Sequence, residues 1–214
     1  MNNPNRVYEG IARHVDNNRS IYIFTIVLFL IGIVFGAIVV NSLSLSQRHD
    51  LFTYLSQFFN EMKNGSVVTS PSELFVHSFT HYGKYIGLMW ILGISLIGLP
   101  AIFVLIFVKG LVIGFTVGFL VNQMGAQGFL LAFVSVLPQN VVLVPAFIVV
   151  GTASVSFCLR LIKQTFAKGL KEPIFPPFFR YTTLVLIVGA FVTVASVFEA
   201  YVSPILMKWV LASF

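Results

Sequence analysis

Two histidines four residues apart form the first pattern in this chain that could do chemistry. His77 and His81 would lie on one face of a helix, which is the spacing at which an HExxH motif places two zinc ligands. The residues between them, Ser78, Phe79 and Thr80, include no catalytic glutamate. We therefore interpret the pair as polar residues at the edge of a membrane and predict no metal site.

Glu199 is the acidic residue nearest to an apolar run, and acids inside a membrane are functional candidates. Because Tyr201 follows it close to the end of that run, we expect Glu199 to lie at the external interface. Lys109 is interpreted in the same way, as an anchor at the cytoplasmic edge. An intramembrane enzyme would require Glu199 to meet His77 and His81. The chain has no nucleophile elbow, phosphate loop or paired carboxylates, so we predict a protein that is not an enzyme and binds no cofactor.

The elements that carry these residues are strongly apolar. Residues 111–159 contain no ionisable charge, a run far longer than the roughly 20 residues of a transmembrane helix. Apolar residues make up 57% of the chain and charged residues 9%, and the mean hydropathy is +0.94. The net charge of +6 comes without a basic block, which argues against nucleic-acid binding. The sequence predicts one integral membrane domain over residues 1–214.

The apolar runs predict an all-α polytopic bundle of five transmembrane helices. The expected spans are about 21–40, 82–99, 101–121, 138–159 and 181–203. Pro100 ends the second span, because proline removes a hydrogen-bond donor and clashes with the preceding turn. Lys and Arg residues concentrate in the N-terminal tail and in the loop 160–180, which predicts a cytoplasmic N-terminus and an external C-terminus.

Two polar interruptions break the long uncharged run, at residues 122–128 and at Pro138, Gln139 and Asn140. Hydrocarbon tolerates irregular backbone only where protein or water satisfies it, so a broken or re-entrant helix is expected near Pro138. Broken helices also form transporter sites, which makes a transporter or permease subunit the alternative function. Against that alternative, the two halves show no evident repeat and the broken segment carries no acidic or basic side chain.

Glycines repeat at a spacing that lets helices approach closely. The strongest case is the ladder Gly110, Gly114 and Gly118, and GxxxG pairs also occur at Gly32/Gly36 and Gly83/Gly87. We expect the ladder to support the broken segment. A larger residue at Gly125, in the polar turn, is expected to be tolerated better than one at Gly114.

The external loop 41–80 is the one long hydrophilic connection, and it contains an amphipathic helix. Its apolar residues recur at helical spacing: Leu51, Phe52, Leu55, Phe58, Phe59 and Met62. Phe52, Leu55 and Phe59 are the candidate partner-binding residues, and the alternative is a helix that lies at the membrane interface. A second helix is predicted from Ser70, because Ser70, Pro71 and Glu73 have the pattern of a capping box.

Several stretches of the chain are similar to the stage II sporulation protein M family of endospore-forming bacteria. They are residues 35–42 (FGAIVVNS), 109–119 (KGLVIGFTVGF), 135–140 (SVLPQN) and 144–146 (VPA). The glycine ladder, Leu-Pro-Gln-Asn and Pro-Ala occur in that order. The resemblance covers nearly the whole chain.

This resemblance implies a role in engulfment, when the mother-cell membrane migrates around the forespore. The expected function is a non-enzymatic membrane scaffold that anchors two peptidoglycan-degrading partners, sporulation proteins D and P of stage II. The expected location is the cell membrane at the sporulation septum. A homo-oligomer is also compatible with the glycine spacing.

Overall fold

The protein is built from α-helices. The computed structural model describes residues 15–63, 70–166, 173 and 175–212, and no strand occurs in these ranges. The helices are α1 (Arg19–Asn41), α2 (Leu45–Lys63), α3 (Pro71–Ile94), α4 (Gly98–Ser135), α5 (Leu137–Phe166), α6 (Phe175–Tyr201) and α7 (Ser203–Ala212). The all-α prediction is confirmed. The N-terminal tail with Arg6 and Arg13, much of the predicted loop 160–180 and the side chains of Met62 and Lys208 lie outside the described residues.

Helix α3 begins at the predicted capping box. The Ser70 hydroxyl accepts a hydrogen bond of 3.3 Å from the backbone N–H of Glu73, and the Glu73 carboxylate accepts one of 3.2 Å from the backbone N–H of Ser70. Pro71 occupies the first helical position, where its missing N–H leaves no bond unmade. This prediction is confirmed.

Helix α4 is interrupted at Gly125, whose φ of 58° and ψ of −130° are not helical. Only glycine adopts this backbone conformation without strain. Val136 then separates α4 from α5, and Pro138 is the second residue of α5. The two breaks fall within or next to the predicted interruptions. The helix near Pro138 is broken, but a re-entrant helix is not confirmed.

The core lies between α3, α4, α5 and α6. Its most completely buried members include Met89, Ile102, Leu143, Val150 and Val192, which are at most 1% exposed. Helix α1 packs along α4 and turns the rest of its surface outward, with Phe24, Leu30 and Ile31 about half exposed. Such a surface suits hydrocarbon chains, because lipid tails are as apolar as these side chains.

Within the residues that the structure describes, four helical segments are long and apolar enough to cross a membrane: Arg19–Asn41, Gly98–Ser135, Leu137–Thr165 and Phe175–Met207. The predicted spans 21–40, 101–121, 138–159 and 181–203 fall within them. The predicted span 82–99 covers the second half of α3, the following turn and the first two residues of α4. Helix α3 is less apolar because it carries Glu73, His77, His81 and Lys84. Five spans are therefore not confirmed.

Candidate functional site

Four helices each bring one polar side chain to a common point inside the bundle. These are Tyr82 of α3, Lys109 of α4, Gln139 of α5 and Glu199 of α6, which we call the polar centre. The Tyr82 hydroxyl donates a hydrogen bond of 2.8 Å to Glu199 Oε2. The side-chain amide of Gln139 lies 2.9 and 3.3 Å from the two carboxylate oxygens, and with its nitrogen on that side it donates to both. Glu199 thus accepts hydrogen bonds from two other helices.

Lys109 is surrounded by aromatic rings. Its ammonium lies 5.2 Å from the ring centroid of Tyr82, 5.6 Å from that of Tyr85 and 5.0 Å from that of Phe147. Each distance is within the range at which a cation is attracted to an aromatic face. The Tyr82 ring therefore contacts the cation while its hydroxyl binds the anion, which links Lys109 to Glu199 through one side chain.

The level of Lys109 in the bundle follows from its neighbour Gly110, which lies against the backbone carbonyl of Phe29. Phe29 is near the middle of α1. Lys109 therefore lies at mid-height, and our interpretation of it as an anchor at the cytoplasmic edge is wrong. The structure likewise places Glu199 in contact with Tyr82 and Gln139 inside the bundle, whereas the sequence predicts an interface residue.

The broken segment turns Gln139 toward Glu199. The first turn of α5 contains Pro138, Gln139 and Asn140. The side-chain amide of Asn140 donates a hydrogen bond of 2.7 Å to the backbone carbonyl of Val136 at the break. The side-chain oxygen of Asn140 is buried and has no hydrogen-bond partner within the described residues. The broken segment contains no charged residue. The charged side chain that contacts it is Glu199 of α6, through Gln139.

Within the described residues, neither His77 nor His81 forms a hydrogen bond or an ion pair with Glu199. His81 packs its ring against Tyr82 and Tyr85, with centroid distances of 5.4 and 5.2 Å. Within the described residues, no group of three or more His, Cys, Asp and Glu side chains could hold a metal ion. The chemistry that the polar centre supports is a charge pair with neutral hydrogen-bond donors, joining α3, α4, α5 and α6.

The glycine ladder lies against α1. A Cβ on Gly110 would meet the Phe29 carbonyl oxygen, and one on Gly114 would meet that of Ile33. A Cβ on Gly118 would lie 3.1 Å from the Cα of Ala37. The ladder thus brings the backbones of α1 and α4 together, and its nearest neighbours are not in the broken segment.

The GxxxG pairs differ in their surroundings. Gly32 and Gly36 of α1 complete the contact from the other side, because a Cβ on either would meet backbone atoms of α4. A Cβ on Gly83 or Gly87 of α3 would have no described neighbour within 4 Å. The same spacing therefore marks a close helix contact in one case and an open surface in the other.

Helix α2 has two apolar sides. Phe52, Leu55 and Phe59 are partly buried, and Phe59 packs in a small cluster around Leu131 of α4. The exposed apolar residues are Leu51 (37%), Tyr54 (73%) and Phe58 (42%). Of the three candidate partner-binding residues, Phe59 thus contacts the bundle, and Phe52 and Leu55 are less exposed than Leu51, Tyr54 and Phe58.

Sequence reasoning did not assemble the polar centre, although one signal was present. Lys109 is the only charged residue between Lys84 and Arg160. An isolated charge in so long an apolar stretch indicates a partner inside the bundle. Gln139 belongs to the polar interruption near Pro138, but nothing in the sequence relates it to Glu199, and Tyr82 gives no signal because it is an ordinary helix residue.

The sequence model of the family described as Stage II sporulation protein M matches residues 25–204. This range includes most of α1, all of α2 to α6, the polar centre and the glycine contact. No curated protein and no solved structure matches the chain.

Proposed function

Because the chain belongs to the stage II sporulation protein M family, we propose that this sporulation-related membrane protein is the non-enzymatic scaffold of the engulfment complex. In this role it anchors the peptidoglycan-degrading sporulation proteins D and P of stage II at the septum. They thin the septal wall while the scaffold holds them at the membrane. The N-terminus is cytoplasmic and the C-terminus external in this proposal.

The observation that carries the proposal is the arrangement of α2. Its inner side is fixed to the bundle through Phe59, while Leu51, Tyr54 and Phe58 point away from it. An amphipathic helix held in place on one side can present the other side to a partner at a small entropic cost. The proposed contact with the hydrolases is this outer face.

The test replaces the outer face alone. Leu51→Ser, Tyr54→Ser and Phe58→Ser together should reduce the recovery of both hydrolases from sporulating cells, at an unchanged level of the scaffold in the membrane. Co-purification followed by mass spectrometry measures the recovery, and an immunoblot measures the level. Gln57→Ala with Asn60→Ala is the matched control, because both polar side chains are exposed on the same helix.

Normal hydrolase recovery with the outer face replaced would contradict the proposed contact and leave α2 as an interfacial helix. Phe59→Ser serves as a second comparison. It should lower the scaffold level itself, because it opens the cluster around Leu131. A loss of recovery that merely followed the scaffold level would also count against the outer face.

The second candidate is a transporter or permease subunit, and the polar centre favours it. A charge pair beside a broken helix resembles the sites that secondary transporters place near the middle of the membrane. The two functions differ in their partners. A nucleotide-binding ATPase in the co-purified material would favour the permease, whereas peptidoglycan hydrolases would favour the scaffold.

A further inference from the structure

A polar cavity opens between the beginning of α1 and the end of α5. Its volume is about 340 Å³, and its walls include Asn17, Asn18, Arg160 and Lys163. The Ser156 hydroxyl donates a hydrogen bond of 2.7 Å to the side-chain oxygen of Asn18, which ties the two helices together beside the cavity. The cavity is distant in sequence and fold from the polar centre and from α2.

The cavity is electropositive. Arg160 and Lys163 are three residues apart and therefore lie on one face of α5, and both side chains are exposed. Neither forms an ion pair with an acidic side chain in the part of the chain that the structure describes. Asp16 is close in sequence to Asn17, but it is not among the residues that line the cavity. Among the described residues, the two cations therefore have no acidic partner, which leaves both charges facing the cavity.

The rest of the lining selects the kind of anion. Ile21 and Leu159 give the cavity an apolar wall. From there α1 continues with outward-facing apolar side chains, among them Phe24 (51% exposed) and Leu30 (52% exposed). A free phosphate ion needs only the cations, whereas a phospholipid needs cations for its headgroup and an adjoining apolar surface for its glycerol and acyl chains.

We propose that this cavity binds the phosphate-bearing headgroup of an anionic phospholipid. Arg160 and Lys163 contact the phosphate, and Ile21 and Leu159 contact the glycerol and the first acyl carbons. Basic pockets between helices at the membrane surface bind anionic headgroups by this combination of charge and apolar contact. The proposal does not depend on the scaffold function.

The experiment measures lipid binding to the purified full-length protein in detergent by native mass spectrometry, with phosphatidylglycerol and phosphatidylcholine as probes. The protein should bind phosphatidylglycerol more tightly than phosphatidylcholine. Arg160→Gln with Lys163→Gln should weaken phosphatidylglycerol binding by about tenfold or more, because each basic residue near an anionic surface contributes on the order of fivefold. Thermal unfolding in detergent shows whether the double variant is folded.

The matched control also removes two positive charges. Arg180→Gln with Lys84→Gln changes two exposed residues that do not line the cavity, and phosphatidylglycerol binding should stay within about twofold of the original. Arg160→Lys with Lys163→Arg keeps both positive charges and should retain phosphatidylglycerol binding. This variant distinguishes a loss of charge from a disturbance of the fold. Equal weakening in both neutralised pairs would overturn the proposal, because it would indicate general electrostatic attraction. If inorganic phosphate displaced phosphatidylglycerol at equal concentration, the ligand would be a free phosphate ion and the proposal of a lipid would be wrong.

Discussion

At the residue scale, the polar centre shows how the bundle accommodates two charges. Lys109 and Glu199 are both half-buried, and each would be strongly unfavourable in an apolar interior by itself. Tyr82 reduces this penalty for both, since its ring faces the ammonium and its hydroxyl binds the carboxylate. The pair therefore behaves as one unit, and removing one member leaves the other without its counter-charge.

Glu199→Leu should destabilise the protein by about 1 to 3 kcal/mol, because it removes the carboxylate that accepts hydrogen bonds from Tyr82 and Gln139 and leaves Lys109 without a nearby anion. Lys109→Met with Glu199→Leu should recover much of this loss, because no charge then remains uncompensated. The measurement is thermal unfolding of the purified protein in detergent, with the membrane level followed by immunoblot. If the double variant lost as much as the two single variants added together, the two residues would not be coupled.

The polar centre also shows which residue-level features a sequence can reveal. The sequence singles out Glu199 because it is an acid beside an apolar run, yet it predicts a place at the external interface. The actual partner, Tyr82, is 117 positions away in the chain, and no local pattern relates the two. The relative height of α3 and α6 decides this contact, and that height depends on tertiary packing.

At the element scale, the contact between α1 and α4 depends on the absence of side chains. Gly32 and Gly36 face α4 while Gly110 and Gly114 face α1, so backbone approaches backbone at each level. Without a hydrophobic driving force between helices in lipid, this close approach is what stabilises the association. A single methyl group at the contact must displace the backbone of the neighbouring helix.

Gly114→Ala should lower the stability by about 1 to 3 kcal/mol, the usual cost of inserting a group into a packed interior. Gly87→Ala is the matched control, because it changes a helical glycine with no described neighbour within 4 Å, and it should be neutral or slightly stabilising. Unfolding temperatures and immunoblot levels of the two variants are compared. If the two variants had similar unfolding temperatures and membrane levels, the close contact between α1 and α4 would contribute nothing to stability.

Gly125 adds a backbone cost to one of the expectations from the sequence. The polar turn predicts that a larger residue is tolerated better at Gly125 than at Gly114, because a loop can move aside. The φ of 58° at Gly125 is a conformation that other residues adopt only with strain, although there is space around it. Composition locates the turn correctly, but only the backbone angles show that glycine is required.

The elements differ in how well their ends can be predicted. The start of α3 is predictable because the capping box is local, with Ser70 and Glu73 three residues apart. The length of α4 is not predictable in this way, because the predicted span 101–121 assumes that a helix ends where the membrane ends. The helix continues to Gly125 and, beyond the kink, to Ser135. The short part after the kink packs Leu131 against α2 and α7, contacts that sequence periodicity does not show.

At the scale of the whole molecule, the contacts fix the directions of the helices. The contacts between α1 and α4 follow the same order along both helices: Phe29 with Gly110, Ile33 with Gly114 and Ala37 with Gly118. The two helices therefore run parallel. The turn between α3 and α4 lies near α5, because the Cys158 thiol contacts the Ser95 carbonyl at 3.2 Å. Asn18 joins the same end of the bundle through Ser156.

The directions of the helices limit how many times the chain can cross the membrane. Helix α3 returns the chain from the end where α1 finishes to the end where α4 begins. With 24 residues it is about 36 Å long, enough to cross a hydrocarbon core of roughly 30 Å. Its polar face, with Glu73, His77, His81 and Lys84, explains why it is less apolar than the other four. We therefore retain five crossings as a prediction.

Five crossings place the two termini on opposite sides of the membrane, whereas four would place them on the same side. The Lys/Arg residues around α5 and α6, including Arg160 and Arg180, favour the cytoplasm for that end of the bundle. The C-terminus, with Lys208 and Trp209, is then external. An alkaline phosphatase fused after Phe214 should be active, and a green fluorescent protein at the same point should be dark. A fluorescent, phosphatase-inactive C-terminus together with a cytoplasmic N-terminus would mean that α3 does not cross.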